Sequence, residues 1–584
     1  MFGERESVGT RFGRGSGLCA GWVASVVGMY LRETRRTNRD GSQVSYLQLA
    51  HNERHRDTGV STAKVLHSFG RADQVDRDGL ARLVSSISRF LSPGQTGAAT
   101  ATGEGGSGVE IGEVRPMGGV YVLDGLWQRL GIPAVLARLL AGRRLDPRSE
   151  RILFAMVANR ALEPLSKLAG AKWVTERVVV PGLAVIDEDA CYRAMDWLLE
   201  IETDLAEAVY WAVADLLNLE VDLLFFDTTS TYFETEQADD PDEGATVGFR
   251  TYGHSKDSRP DLPQVIIGMA VTRTGIPIRV WTWPGNTNDS ALIRQVKDDL
   301  RAWRLGRVVW VADRGFTSAE NRRYLQRAGG HYIIGEKIRG DNHEAQAALS
   351  RQGRYHVIAG NLRVKEVVLD DGTMRDRFVI CHNPEAAERD KTIRDQLLAQ
   401  LATAIAGSDK LTATARATVA GQLSGYPGLK RFLRVTTSGL LRVDKAAVAA
   451  EARLDGKFLL RTSDPTLSAE DVALGYKQLL EVERGWRDMK STLALRPVYH
   501  HLERRIRAHV VLCWLALLLI RLAETATTDT WRNLRHQLDR MHQVTVTSDH
   551  GTIVQRNATT PQQAATLRRL ELPEPPKYYE FNPT

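Results

Sequence analysis

Two runs, VDLLFFD at 221–227 and RVVWVAD at 307–313, constrain the fold of this chain more than any other feature in it. Each holds a short apolar stretch, LLFF or VVWVA, closed by an aspartate. A strand that is apolar on both faces must be covered on both faces, as are the inner strands of a sheet flanked by helices. Between them, QVIIGMAVT (264–272) and IPIRVWTW (276–283) read as two further strands joined by a turn at Thr274-Gly275. Residues 289–303 then read as a helix, with Asn288 or Asp289 as its cap. A second helix over 318–328 and a fifth strand, HYIIG (331–335), complete the order βββαβαβ. Trp281, Trp283 and Trp310 fall within these strands and are expected in the core.

In an open sheet of this kind, sites form beyond the carboxyl ends of the strands. Asp227 and Asp313 sit at two such ends, although an aspartate after a strand is often only a turn former. A third acid, Glu483, lies in GYKQLLEVERGWRDMKS, within a helix expected over 468–491. Tyr476, Glu483 and Lys490 recur every seven residues, so they share one stripe of that helix. The stripe is either a phosphate-contacting face or an ordinary solvated one. Three converging carboxylates repel one another unless divalent cations neutralise them, and two such ions are the clamp of phosphoryl transfer. Hard oxygen donors favour Mg²⁺, with Mn²⁺ as substitute, over zinc.

Taken together, FFDTTSTYFE, DRGF and the Y-x(6)-E-x(6)-K helix resemble the insertion-sequence transposases of the DDE type. Within these, the similarity is to the group with a tyrosine–arginine–glutamate–lysine signature and a β-rich insertion before the glutamate. GHSKDSRPDLPQ (253–264), PGNTNDS (284–290) and RPVYHHLERRIRAHVVLCWLALLL (496–519) carry the same resemblance, which runs from about Met29 to the C-terminal helices. One position departs from the signature: where the group often has arginine, three residues after the tyrosine, this chain has Leu479. Arg484 or Arg487 is the candidate replacement.

The resemblance implies an RNase H-like catalytic core whose acids are Asp227, Asp313 and Glu483, holding two Mg²⁺ ions. Glu483 lies 170 positions after Asp313, which leaves room for the β-rich insertion at about 340–465. It also implies DNA as partner, both the terminal inverted repeats of the element and the target, a homodimer in a synaptic complex, and a bacterial cytoplasmic, nucleoid-associated location. The segment 484–509 fits such a partner: Arg484, Arg487, Lys490, Arg496, Arg504, Arg505 and Arg507 face only Asp488 and Glu503. A cationic face of this kind positions a duplex by its phosphates, unless it is merely a solvated helix. Arg314 beside Asp313, and His254, Lys256 and Arg259 in GHSKDSRP, are further candidates for contact with the DNA end.

The expected organisation is α/β and multidomain. It comprises an N-terminal extension (1–28), a small α+β unit (29–91) with a helix near 80–91, a flexible linker (92–108), and a helical domain with possible DNA binding (109–219). The RNase H-like core follows in two parts (220–339 and 466–525) around the insertion (340–465), and the chain ends in a tail (526–584) expected to be irregular from 557. The first 28 residues faintly imitate a signal peptide; the competing expectation is that a chain starting at Met29 folds and acts alike. The longest apolar run, 510–520, is too short to span a membrane and reads as a buried helix. Four scattered cysteines without a C-x-x-C pair exclude zinc ribbons and disulfide scaffolds and fit a reducing cytoplasm. A net charge of +6 permits a polyanionic partner without requiring one. The function the resemblance implies is that of a cut-and-paste transposase that cleaves strands at element ends and joins them to target DNA. The rivals are an RNase H-like nuclease that cuts without joining, and an inactive DNA-binding relic.

Overall fold

The computed structural model describes residues 30–37, 43–54, 61–72, 74–76, 80, 109–217, 223–235, 237–241, 247–301, 303, 305, 307–340, 342–370 and 375–583. The N-terminal extension, the linker and, apart from its first residue, the helix at 80–91 lie outside them. The chain divides into two compact units.

The first unit combines the N-terminal part with two C-terminal pieces, His542–Ala558 and Pro576–Thr584. Strands β1 (Tyr30–Thr37), β2 (Gln43–Arg54) and β3 (Ser61–Arg71) form an antiparallel sheet. A second sheet is ordered β18 (Tyr578–Pro583), β17 (Gly551–Arg556), β16 (His542–Ser548), β4 (Glu110–Pro116). The expectation of an irregular C-terminal tail is therefore wrong. Phe581 is buried on β18, and Pro561–Arg569, which belongs to the second unit, is a helix opened by a Thr560–Gln563 capping box with proline at its first position.

The second unit, Arg115–Met541 with Thr559–Pro575, contains the sheet that the acid-ending strands anticipate. Helices α1 (Gly118–Arg129), α2 (Ile132–Leu140), α3 (Ser149–Leu162), α4 (Lys167–Lys172), α5 (Glu188–Glu200) and α6 (Glu202–Leu217) precede it. Then come β5 (Leu223–Tyr232), β6 (Gln264–Thr272), β7 (Pro277–Pro284), α7 (Asp289–Arg301), β8 (Val309–Ala312), α8 (Ala319–Gln326) and β9 (His331–Glu336). β5, β6 and β7 form an antiparallel meander, whereas β8 runs parallel to β5 and β9 parallel to β8. Gly268 on β6 is required by packing: a Cβ there would sit 2.7 Å from the Trp283 ring and 3.0 Å from that of Phe226.

The region after β9 adds β10 (His356–Ala359), β11 (Leu362–Asp370), β12 (Arg375–His382) and β15 (Lys457–Thr462) to the same sheet, in the order β10-β11-β12-β15-β9-β8-β5-β6-β7. α9 (His343–Ser350) precedes β10, and between β12 and β15 the chain is largely helical, with α10 (Pro384–Ile405), α11 (Ala413–Ser424), α12 (Pro427–Lys430) and α13 (Lys445–Ala452) around the short pair β13 (Leu433–Val435) and β14 (Leu441–Val443). Helices α14 (Ala469–Lys477) and α15 (Leu480–Ser491) follow, so the single helix expected over 468–491 is broken at Gln478-Leu479. α16 (Glu503–Thr527) is long and apolar enough to cross a membrane by length and composition, but it is almost wholly buried and packs on α3, α5 and β7. That burial explains its apolar circumference.

Candidate active site

Strand register brings the first two acids together. Phe226 pairs with Ala312 at the last rung of the parallel β5–β8 ladder, and Asp227 and Asp313 are the next residues on each chain. β8 stops there, while β5 continues to Tyr232. Asp227 is thus inside its strand rather than at its end, because Thr228, Thr229, Ser230 and Thr231 are buried and keep pairing with β6. Asp313 leaves the sheet in a short turn, and its carboxylate accepts a hydrogen bond from the Gly315 amide at 2.6 Å. The turn-forming and site readings of Asp313 are therefore compatible.

Burial pushes the Asp227 carboxyl up to about 6, and the charges of Asp313 and Asp289 add to that. Lys256 and the Thr228 amide work in the opposite direction. The third acid approaches from α15. Its apolar stripe, Val482, Gly485, Trp486 and Met489, is buried against the sheet, which leaves Glu483 exposed. Among the described residues, no three His, Cys, Asp or Glu side chains are close enough to hold an ion.

Tyr476, at the end of α14, links the strand-borne and helix-borne parts. Its ring stacks on Phe458 at 6.3 Å, and its hydroxyl lies over Gly335, where a Cβ would come within 2.4 Å of it. Burial raises its pKa far above the ordinary phenol value, and the charges of Asp313, Asp227 and Glu483 reinforce this, with Arg314 opposing. The hydroxyl therefore keeps its proton and feels all three acids.

The predicted cations separate into two kinds. Arg314 is exposed and lines a cavity of about 600 Å³ with Asp313 and Tyr476; Arg487 and His254 are also exposed. The others are engaged with the fold. Arg484 pairs with Glu524 at 3.1 Å, Arg504 with Asp196 at 3.0 Å, and Arg507 with Glu503 at 2.6 Å while donating to the Thr282 carbonyl. Lys490 donates to Asp257 at 2.8 Å; burial lowers its pKa and the carboxylate counteracts this. Lys256 donates to the Thr228 carbonyl at 2.7 Å and pairs with Asp289 at 2.8 Å. Sequence reasoning missed Lys337, Lys457 and Phe458, which line the cavity beside Asp313. Only the pairing of β9 with β15 brings them there, and no local pattern announces it.

The family described as Transposase DDE domain matches residues 223–519, just over half of the chain. The chain belongs to the DDE transposases. The IS1634 family transposase N-terminal domain matches residues 31–98, so this is an insertion-sequence transposase, a DNA-acting enzyme of a family that works with divalent metal ions. No curated protein matches the transposase. Among solved structures it is similar to a piggyBac transposase in a synaptic complex with hairpin DNA, at 10% identity over 74% of this chain and 82% of that one, with a TM-score of 0.33.

Proposed function

We propose that the transposase works by cut-and-paste, with Asp227, Asp313 and Glu483 as its catalytic acids on an RNase H-like core formed by β5–β9 and α15. The observation that supports this best is the parallel register that sets Asp227 beside Asp313, together with a tyrosine that feels both of them and Glu483. The donor set fits a hard divalent cation such as Mg²⁺: it offers carboxylate oxygens alone, and Asp227 is held up to about 6 partly by its neighbour's negative charge. When bound, such ions neutralise phosphate charge and make bound water a better nucleophile.

The protein's own groups have distinct tasks in this reading. Asp227 and Asp313 are carried on adjacent strands and so keep a fixed spacing. Glu483 lies on the outer side of a helix whose inner side packs on the sheet. The protonated Tyr476 hydroxyl donates to a phosphate oxygen of the scissile strand. Arg314, Lys337 and Lys457 around the neighbouring cavity, with Arg487 nearby in sequence on α15, position the DNA backbone. Two copies of the chain pair in the synaptic complex, each acting on one end.

The test incubates the purified protein with Mg²⁺ and DNA carrying its own element ends, beside Asp227→Ala, Asp313→Ala and Glu483→Ala. Cleavage at the ends by the wild type, abolished by each substitution with folding intact, is expected. Joining of a pre-cut end to target DNA then separates a transposase mechanism from cleavage alone. Activity that survives Glu483→Ala would remove Glu483 from the site.

A further inference from the structure

Two consecutive residues in the loop between β5 and β6 reach in different directions. Lys256 turns towards the strand of Asp227. Its ammonium donates to the Thr228 carbonyl at 2.7 Å and to the Thr228 hydroxyl at 2.5 Å, and pairs with Asp289 at the start of α7. Its amide donates to the Ser230 hydroxyl at 2.9 Å, which ties the loop backbone to the same strand. Asp257 turns towards the helix of Glu483. One carboxylate oxygen accepts from Lys490 of α15 at 2.8 Å; the other pairs with Arg496, just after that helix, at 3.1 Å.

The loop itself is braced for this. The Ser255 hydroxyl accepts from the Asp257 and Arg259 amides, and the Arg496 guanidinium lies 4.9 Å from the centre of the Tyr232 ring on β5. The Asp257 side chain is only 12% exposed, so its two ion pairs are shielded from the screening that makes surface pairs weak.

The apolar stripe of α15 determines which side of the helix meets the sheet. At the helix centre a Cβ on Gly485 would meet the flexible end of Met269, a contact that can yield to a small slide or roll, and the ties of Arg484 to Glu524 and of Asp488 to Arg521 run to α16 rather than to the sheet. Lys490 is seven residues from Glu483, so both lie on one stripe about 10 Å apart along the axis. A tie at Lys490 therefore adds a constraint from the sheet side on the roll and the axial position of Glu483.

We propose that Lys256 and Asp257 form a staple that registers the Glu483 helix against the Asp227 strand, with Asp257 as a positioning residue for the acid triad. This rests on the reading of those acids given above. The staple also explains why the loop bears acid and base side by side: Lys256 anchors it to one catalytic element and Asp257 holds the other. Asp257 touches neither DNA nor metal in this scheme, and its negative charge faces two cations that would otherwise be available to phosphates.

The test follows from that last point. Asp257→Asn, Arg496→Gln and the double variant are compared with the wild type for DNA-end binding in EDTA and for Mg²⁺-dependent cleavage at saturating DNA. Asp257→Asn is expected to cleave at least 10-fold more slowly and to need several-fold more Mg²⁺ for half-maximal rate, while binding DNA ends as tightly or more tightly. A general loss of structure would weaken binding too. The double variant is expected within twofold of Asp257→Asn, since both substitutions break one tie. Cleavage within twofold of wild type, a fall matched by equal loss of DNA affinity, or multiplicative single effects would overturn the staple. Should Asp257→Asn fail to fold, Arg496→Gln alone must show the same pattern at about threefold; weakened DNA binding without a raised Mg²⁺ requirement would overturn the proposal. Wild-type inactivity on its own ends would overturn the proposed function and the staple with it, whereas an active wild type with an unaffected Asp257→Asn overturns the staple alone.

Discussion

The strand-borne and helix-borne halves of the site are built by different means. Asp227 and Asp313 are half-buried and placed by backbone hydrogen bonds between two parallel strands. Glu483 is exposed and placed by a helix that reaches the sheet through side chains. Ladder register cannot shift by less than a whole residue pair, but side-chain packing tolerates small slides. Substitutions on the strand side should therefore remove chemistry outright, and those on the helix side should grade it.

The largest effect is expected from Asp227→Asn or Asp313→Asn. Each should lower cleavage by about 1,000-fold or more with the fold retained, measured at saturating DNA and Mg²⁺. A loss below tenfold at either position would mean that the register pair is not the centre of the site. Next comes Gly335→Ala, on the strand side but directed at the helix side. Its Cβ would lie 2.4 Å from the Tyr476 hydroxyl, and the ring cannot easily retreat because it stacks on Phe458. Displacing that hydroxyl by about 1 Å should cost roughly tenfold in cleavage. Tyr476→Phe should match it, and the two together should be no worse than either. Additive losses would place the strain elsewhere.

A smaller effect separates the halves by pH. The Asp227 carboxyl is held up to about 6 in the fold, above its unfolded value, so the fold binds that proton more tightly than the unfolded chain does. The stability this contributes is complete below the unfolded pKa and is lost as pH rises through about 6. Without metal, the wild type should lose Tm relative to Asp227→Asn between about pH 4 and pH 7. Mg²⁺ should restore the wild type at the upper end and leave the variant unchanged. Parallel Tm profiles for the two proteins would show that the carboxyl is not buried against its neighbour as described.

The same contrast explains what could be read from the chain. VDLLFFD and RVVWVAD announce their strands because continuous apolar runs mark a sheet covered on both faces. The continuation of β5 through Thr228–Thr231 does not, because the acid at 227 reads as the end of the strand, although threonine suits a strand and these residues keep pairing with β6. The break at Gln478-Leu479 has no proline or glycine within it to mark it. β16 to β18 were missed for a related reason: β16 pairs with β4 more than 400 positions earlier, and a short alternating strand carries little signal without its partner. The predicted cations were legible as charge but not as contacts. Arg504 and Arg507 satisfy acids of the fold, whereas Lys337 and Lys457 reach the cavity only through the β9–β15 ladder.

Leu479 offers the finest discrimination, because it sits where the two halves meet and where the chain departs from the signature it resembles. It lies in the break between α14 and α15, half-buried and three residues past Tyr476. Its backbone is in the helical region, so an arginine fits there without strain. A long side chain at a half-buried position can keep its stem on apolar neighbours and put its charge in solvent. Leu479→Arg should therefore change Tm little, tighten DNA-end binding about threefold at moderate salt, and steepen the log affinity against log salt slope by about one. It should leave the cleavage rate at saturating DNA unchanged, since the acids do not move. An unaltered slope would mean that no phosphate passes the break, and the DNA path would then have to lie along the cavity of Lys337 and Lys457. A faster saturated rate would mean that the break itself holds Glu483 out of place, and that the helix-borne half is adjusted by contacts with DNA as well as by the protein.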